Sequence, residues 1–194
     1  MPRPENPEIR RRLLTSGLEL IYARGANGTG VKEITDLAGV PKGTFYTYYD
    51  SKEAFVVAVL EFYWLELQSQ IGPLLGGRGA PLQRLERYFI AIADDHERHA
   101  FMLGCLVGNL ALEVSGTSSA ASEKLRRILA GWEEQLADTL PSGSPRERRD
   151  AANLLIEAWE GAVFRAKVDR SREPYDRFVK VTLPRLVDAL GAPV

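Results

Sequence analysis

The 194-residue sequence predicts an all-α protein of about nine helices, with a small three-helix head at the N-terminus and a larger helical body. Three observations carry this expectation. Apolar residues recur at spacings of three and four, and no segment keeps the period of two over the length of a strand. Clusters of glycine, proline and serine interrupt the pattern at helix-length intervals, as at Gly76-Gly77-Arg78-Gly79 and Pro141-Ser142-Gly143-Ser144-Pro145. A hydrophobic content of 45% beside 26% charged residues is enough for a complete core.

The first helix is predicted from Asn6 to about Arg24, on Ile9, Leu13, Gly17, Leu20 and Ile21. Asn6-Pro7 supplies an N-cap and a proline at the first helical position, and Gly25-Ala26-Asn27-Gly28 ends the helix. A short helix over Val31–Leu37 stops at Gly39 and Pro41. Another short one covers about Lys42–Tyr48. Ser51 then caps a long helix over 51–75, carrying Phe55, Val59, Phe62 and Leu67, which reads as a strut joining head to body. Five further helices are expected at about 81–96, 101–114, 118–140, 145–171 and 174–190. The domain division is accordingly 1–52 for the head and 53–194 for the body, with helix 51–75 bridging the two.

The longest uninterrupted apolar run, Ala54–Leu60, is far too short to span a bilayer, so no membrane partner is expected. The opening Met-Pro-Arg-Pro-Glu-Asn-Pro lacks the apolar stretch of a signal peptide. A single cysteine cannot form an internal disulfide, which points to the reducing cytoplasm. Net charge is −1, but it is unevenly placed: residues 1–52 hold eight basic against six acidic groups, and the remainder 17 against 20. That asymmetry matters only where the basic residues meet phosphates.

Residues 31–55 hold the informative motif. Two short helices separated by a glycine-containing turn outline a helix-turn-helix, with Ile34, Leu37, Ala38, Val40 and Phe45 as its small core. The second helix carries Lys42, Thr44, Tyr46, Thr47 and Tyr48, side chains suited to phosphate oxygens and base edges. Gly43 removes a side chain where backbone would approach a duplex. Lys52 opens the next helix against its dipole, a placement that a phosphate partner explains.

Residues 9–55 resemble the DNA-binding head of the TetR family, on the run Gly-Val-Pro-Lys-Gly-Thr-Phe-Tyr-Thr-Tyr-Tyr-Asp-Ser-Lys-Glu-Ala. The resemblance implies a homodimeric repressor that binds a palindromic double-stranded operator and is released by a small-molecule effector. It implies DNA-backbone contacts for Lys42, Thr44, Tyr46, Tyr48 and Lys52 and an approach to bases near Gly43 and Thr47; Thr29 and Lys32 complete the expected DNA-binding set. Gly30 stands where the family usually carries a Ser or Thr cap, which weakens the start of the second helix. Ala26 and Tyr49 also depart from common residues, at positions that face no DNA.

In the body, 101–114 is apolar nearly all round yet places Cys105, Asn109 and Glu113 on one stripe, beside Gly104 and Gly108. Close helix packing and a pocket wall both fit that pattern. Trp132 and Trp159 offer large surfaces for core, dimer or ligand contact. The segments around Cys105 and Trp159 resemble a TetR branch associated with reactive electrophiles or unsaturated acids. In parts of that branch the matching cysteine is a sensing thiol, which implies a role for Cys105 with Lys167 as partner; a buried inert thiol is the plainer alternative. The candidate ligand residues are thus Cys105, Asn109, Trp132, Trp159 and Lys167. His96 and His99 share a helix face but lack the further ligands of a transition-metal site, so a solvated helix end is expected and no metal. No phosphate loop, nucleophile elbow or acid–base motif marks an enzyme, and no cofactor is expected. A non-catalytic helical interaction protein is the alternative function. Dimerisation is expected through helices 145–171 and 174–190, on Leu155, Trp159, Val163, Phe178, Thr182, Leu186 and Leu190.

Overall fold

The computed structural model describes residues 6–189, and among these there is no strand. The helices are α1 (Pro7–Arg24), α2 (Val31–Ala38), α3 (Lys42–Tyr48), α4 (Lys52–Ile71), α5 (Pro81–Arg98), α6 (Leu106–Val114), α7 (Ser119–Thr139), α8 (Pro145–Asp169), α9 (Glu173–Arg177) and α10 (Leu183–Ala189). A 3-10 turn, Gly72–Leu74, follows α4. The expected final helix is one continuous run in which a π-helical stretch, Phe178–Thr182, separates α9 from α10; Leu190 lies outside the described residues.

One boundary moves substantially. The helix expected from residue 101 begins at Leu106, because Ala100 (φ 51°), Phe101 (φ 58°) and Gly104 (φ 69°) all turn left-handed. Phe101 N–H closes that turn on His96 O at 2.8 Å. Cys105 therefore precedes the helix, and the stripe with Asn109 and Glu113 is not a single helix face.

The chain forms two compact units. The first contains the residues up to Leu65 together with Leu106–Arg126, so the segment that includes α6 groups with the head. Its core is Leu13, Ile34, Phe45, Phe55 and Val59, all fully buried. Gly17 is required by packing: a Cβ there would meet the Phe55 ring at 2.3 Å. Asn6 Oδ1 caps α1 by accepting Glu8 N–H at 2.9 Å. The missing side-chain cap at Gly30 is offset by Glu33, whose carboxylate accepts Gly30 N–H at 2.8 Å and pairs with Arg24 at 2.8 Å. Leu37, expected in the core, is 48% exposed, while Thr35 takes an inward position.

The second unit contains Glu66–Cys105 and the chain from Arg127 onward. Here α5 turns Leu85, Tyr88, Phe89 and Ile92 inward. Trp159 of α8 packs on Phe89 (4.9 Å between ring centroids), Tyr175 (4.9 Å, stacked) and Phe178 (5.2 Å). Such a cluster of large rings buries a large apolar area in a small volume. Ser144 and Glu147 cap α8 reciprocally, as a Ser-x-x-Glu start allows. Four of the residues expected at the dimer surface are corrected here. Leu155, Trp159, Val163 and Phe178 are buried within the subunit, while Leu154, Phe164 and Val168 are exposed on the other face of α8.

Candidate functional site

The α2–α3 pair is held to α1 by polar ties that the sequence motif does not announce. Gly39, left-handed at φ 64°, ends α2. Arg12 of α1 donates through Nη2 to the carbonyls of Ala38 and Gly39, the latter at 3.1 Å, and so closes the turn from outside. Tyr48 Oη accepts Asn6 N–H at 2.9 Å, tying the end of α3 to the start of α1. Phe45 anchors α3 in the core and contacts Phe55 at 5.0 Å between centroids. The three helices are therefore one body with α3 on its surface.

What α3 presents is a compact polar face. Lys42, Gly43 and Thr47 are exposed, Tyr46 is 54% exposed, and Thr44 is half-buried. A Cβ on Gly43 would meet nothing within 4 Å, so no packing within the chain demands glycine there. Lys32 on α2 is exposed and pairs with Asp36 at 2.6 Å, which raises its pKa. Lys52 is half-buried at the start of α4. Two residues have other work. Thr29 is 1% exposed and donates its hydroxyl to Gly25 O at 2.8 Å, so burial removes it from any DNA-facing set. Tyr48 is half-buried, with its hydroxyl engaged on Asn6. Arg12 was missed by motif reading; the Arg10-Arg11-Arg12 run was its signal, but only the fold separates the arginine that caps a turn from its neighbours.

In the second unit, Cys105 is buried. Lys167 Nζ donates to Leu103 O at 3.1 Å, and a Cβ on Gly104 would touch the Lys167 stem at 3.3 Å. The lysine is thus beside the cysteine's own loop, and burial lowers its pKa, helped by Arg170. Glu160 also reaches Cys105: burial pushes the carboxyl upward, opposed by a hydrogen bond with the thiol. In the sequence Glu160 stands only as a polar residue that interrupts the apolar positions of α8, and nothing local ties it to Cys105. His96 Nδ1 lies 2.6 Å from Tyr175 Oη, and burial pulls the imidazole down to about 4; it is a core residue, not part of a solvated helix end. Burial raises the phenols of Tyr88 and Tyr175. Trp132 and Trp159, at 2% and 1% exposed, are core residues. Asn109 belongs to the first unit and is half-buried on α6.

Comparison with known proteins matches both parts of the chain. A family model described as bacterial regulatory proteins, tetR family, matches residues 13–59. A second, described as the C-terminal domain of LmrA/YxaF-like transcriptional regulators, matches residues 81–181. The HTH-type transcriptional repressor DhaR of Mycobacterium sp. (strain GP1) is 35% identical over 187 residues, covering 92% of each chain. The HTH-type transcriptional repressor NemR of Escherichia coli (strain K12) is 32% identical over 177 residues, covering 87% of this chain and 89% of its own. The crystal structure of E. coli NemR in its reduced form superposes with a TM-score of 0.81 at 31% identity, covering 96% of this chain and 98% of that one.

Proposed function

The chain belongs to the TetR family of transcriptional regulators, and on that premise we propose that it is a ligand-responsive repressor whose α3 reads a palindromic operator in the cytoplasm. The carrying observation is the face of α3: Lys42, Tyr46 and Thr47 stand exposed on a helix fixed by the buried Phe45, with open space at Gly43. A fixed helix with a lysine, a hydroxyl and a tyrosine outward meets the needs of major-groove docking, where phosphate contacts position and base contacts specify. Lys32 on α2 and Lys52 on α4 add further cations to the same unit, and Thr44 adds a half-buried hydroxyl on α3.

Two copies read the two half-sites. The exposed stripe of α8, Leu154, Phe164 and Val168, is the surface a partner subunit covers, together with the outer side of α9–α10. The effector acts in the body near Cys105, and an α,β-unsaturated carbonyl is the class a buried thiol beside Lys167 and Glu160 would meet. In its addition the sulfur–carbon bond forms at the β carbon, and the thiol proton ends on the α carbon. Release from DNA by ~100-fold needs roughly 2.7 kcal/mol of coupling between the two sites.

The test begins with the palindrome that the protein selects from a random DNA library. Lys42→Ala and Tyr46→Phe should each weaken binding to it without altering the helical content. Lys42→Ala should also flatten the salt dependence by about one phosphate contact. Unchanged affinity in both variants would mean that α3 is not the reading helix.

A further inference from the structure

Resting on the reading of α1–α3 as a DNA reader, we propose that Glu113 of α6 is a positioning residue: it fixes the α1–α2 turn and, through it, the angle at which α3 meets DNA. Its two carboxylate oxygens accept consecutive backbone donors, Ala26 N–H at 2.9 Å and Asn27 N–H at 2.6 Å, across 87 and 86 residues of sequence. These are charge-assisted bonds to donors just past the end of α1. Gly25 is shaped for them: it sits at φ 78°, and a Cβ there would lie 2.6 Å from Glu113 Oε2.

The placement is not explained by helix stability. A carboxylate beside the C-terminal end of α1 opposes that helix's dipole. Nor does apolar packing back it up on every side. Next to the turn lies a cleft of about 290 Å³, bordered by Ala26, Asn27, Lys52, Val114 and Ser118. Two further polar ties from 106–126 run to α4: Ser118 donates to Glu53, and Lys124 pairs with Glu61 at 3.1 Å. Glu113 is thus a polar grip at the end of α1. Because Arg12 and Tyr48 bind α1 to the α2–α3 turn and to α3, holding the end of α1 holds the reading helix.

A residue that orients a head differs measurably from one that only stabilises it. The wild-type dimer should discriminate its selected palindrome from versions whose spacer is one or two base pairs longer or shorter. Glu113→Ala should lose that discrimination by about tenfold or more, the scale of a bond to a charged acceptor. Binding to a single half-site should stay within about twofold. Glu113→Gln, which keeps one acceptor oxygen, should fall between. Amide exchange at Ala26 and Asn27 should quicken by about tenfold in Glu113→Ala, with the midpoint of thermal unfolding lowered by only a few degrees and the fold kept. An equal loss on every spacer, or amides protected as in the wild type, would overturn the proposal. If the wild-type protein selects no DNA, the DNA-reading proposal fails on its own, and the amide exchange still decides whether Glu113 holds the turn.

Discussion

Truncating Phe164 tests the dimer surface. Phe164 is 66% exposed in the isolated subunit, on the same face of α8 as Val168 (64%) and Leu154 (50%). Gly161 lies on that face, and a Cβ there would meet nothing within 4 Å, so a second helix could approach closely. A phenylalanine offers roughly 200 Å² of surface; two-thirds of it, at about 25 cal/mol per Å², is worth roughly 3 kcal/mol when covered. A two-fold interface uses the ring twice, for about 6 kcal/mol gross. Alanine keeps part of the contact and neighbours relax, so about half should be lost. Phe164→Ala should thus raise the dimer dissociation constant by about 100-fold. Sedimentation velocity across a concentration series reads it directly. A monomer's far-ultraviolet circular dichroism should be unaffected, because the ring makes little of the subunit's own core. Dimerisation unchanged by Phe164→Ala would remove α8 from the interface.

His96 makes stability depend on pH. Burial holds its folded-state value at about 4, below the ordinary 6.5, so the unfolded chain takes up the proton first. Stability present above pH 6.5 should be lost as pH falls toward 4, by about 3 kcal/mol. Denaturation of wild type and His96→Gln between pH 7 and 4 checks it, and parallel profiles would refute it. For the sensor, Cys105→Ser should bind the selected palindrome as the wild type does yet fail to release it on treatment with an α,β-unsaturated carbonyl; normal release would leave a reversible pocket in place of the thiol.

Much of this protein is legible without coordinates, for reasons of range. Helix existence follows from local spacing and capping, so Asn6-Pro7, Gly39-Val40-Pro41 and Ser144-Pro145 mark helix ends within a residue or two. The candidate DNA-facing helix is legible because Lys42–Tyr48 packs its polar groups and one anchoring phenylalanine into seven residues. Motif resemblance then extends that stretch to a family, and the family to DNA.

Tertiary structure decided what depends on partners distant in sequence. Periodicity says that α8 has apolar residues but not which of two apolar faces is inside; packing against Phe89, Tyr175 and Phe178 takes Trp159 and leaves Phe164 outside. The start of α6 depends on left-handed backbone at Ala100 and Phe101, residues with no local preference for it. Arg12, Thr29, Tyr48 and Glu113 owe their roles to backbone groups that composition cannot show. A polar side chain near a helix end can face solvent, DNA or a neighbouring turn, and only the folded chain places a donor or acceptor within 3 Å of it.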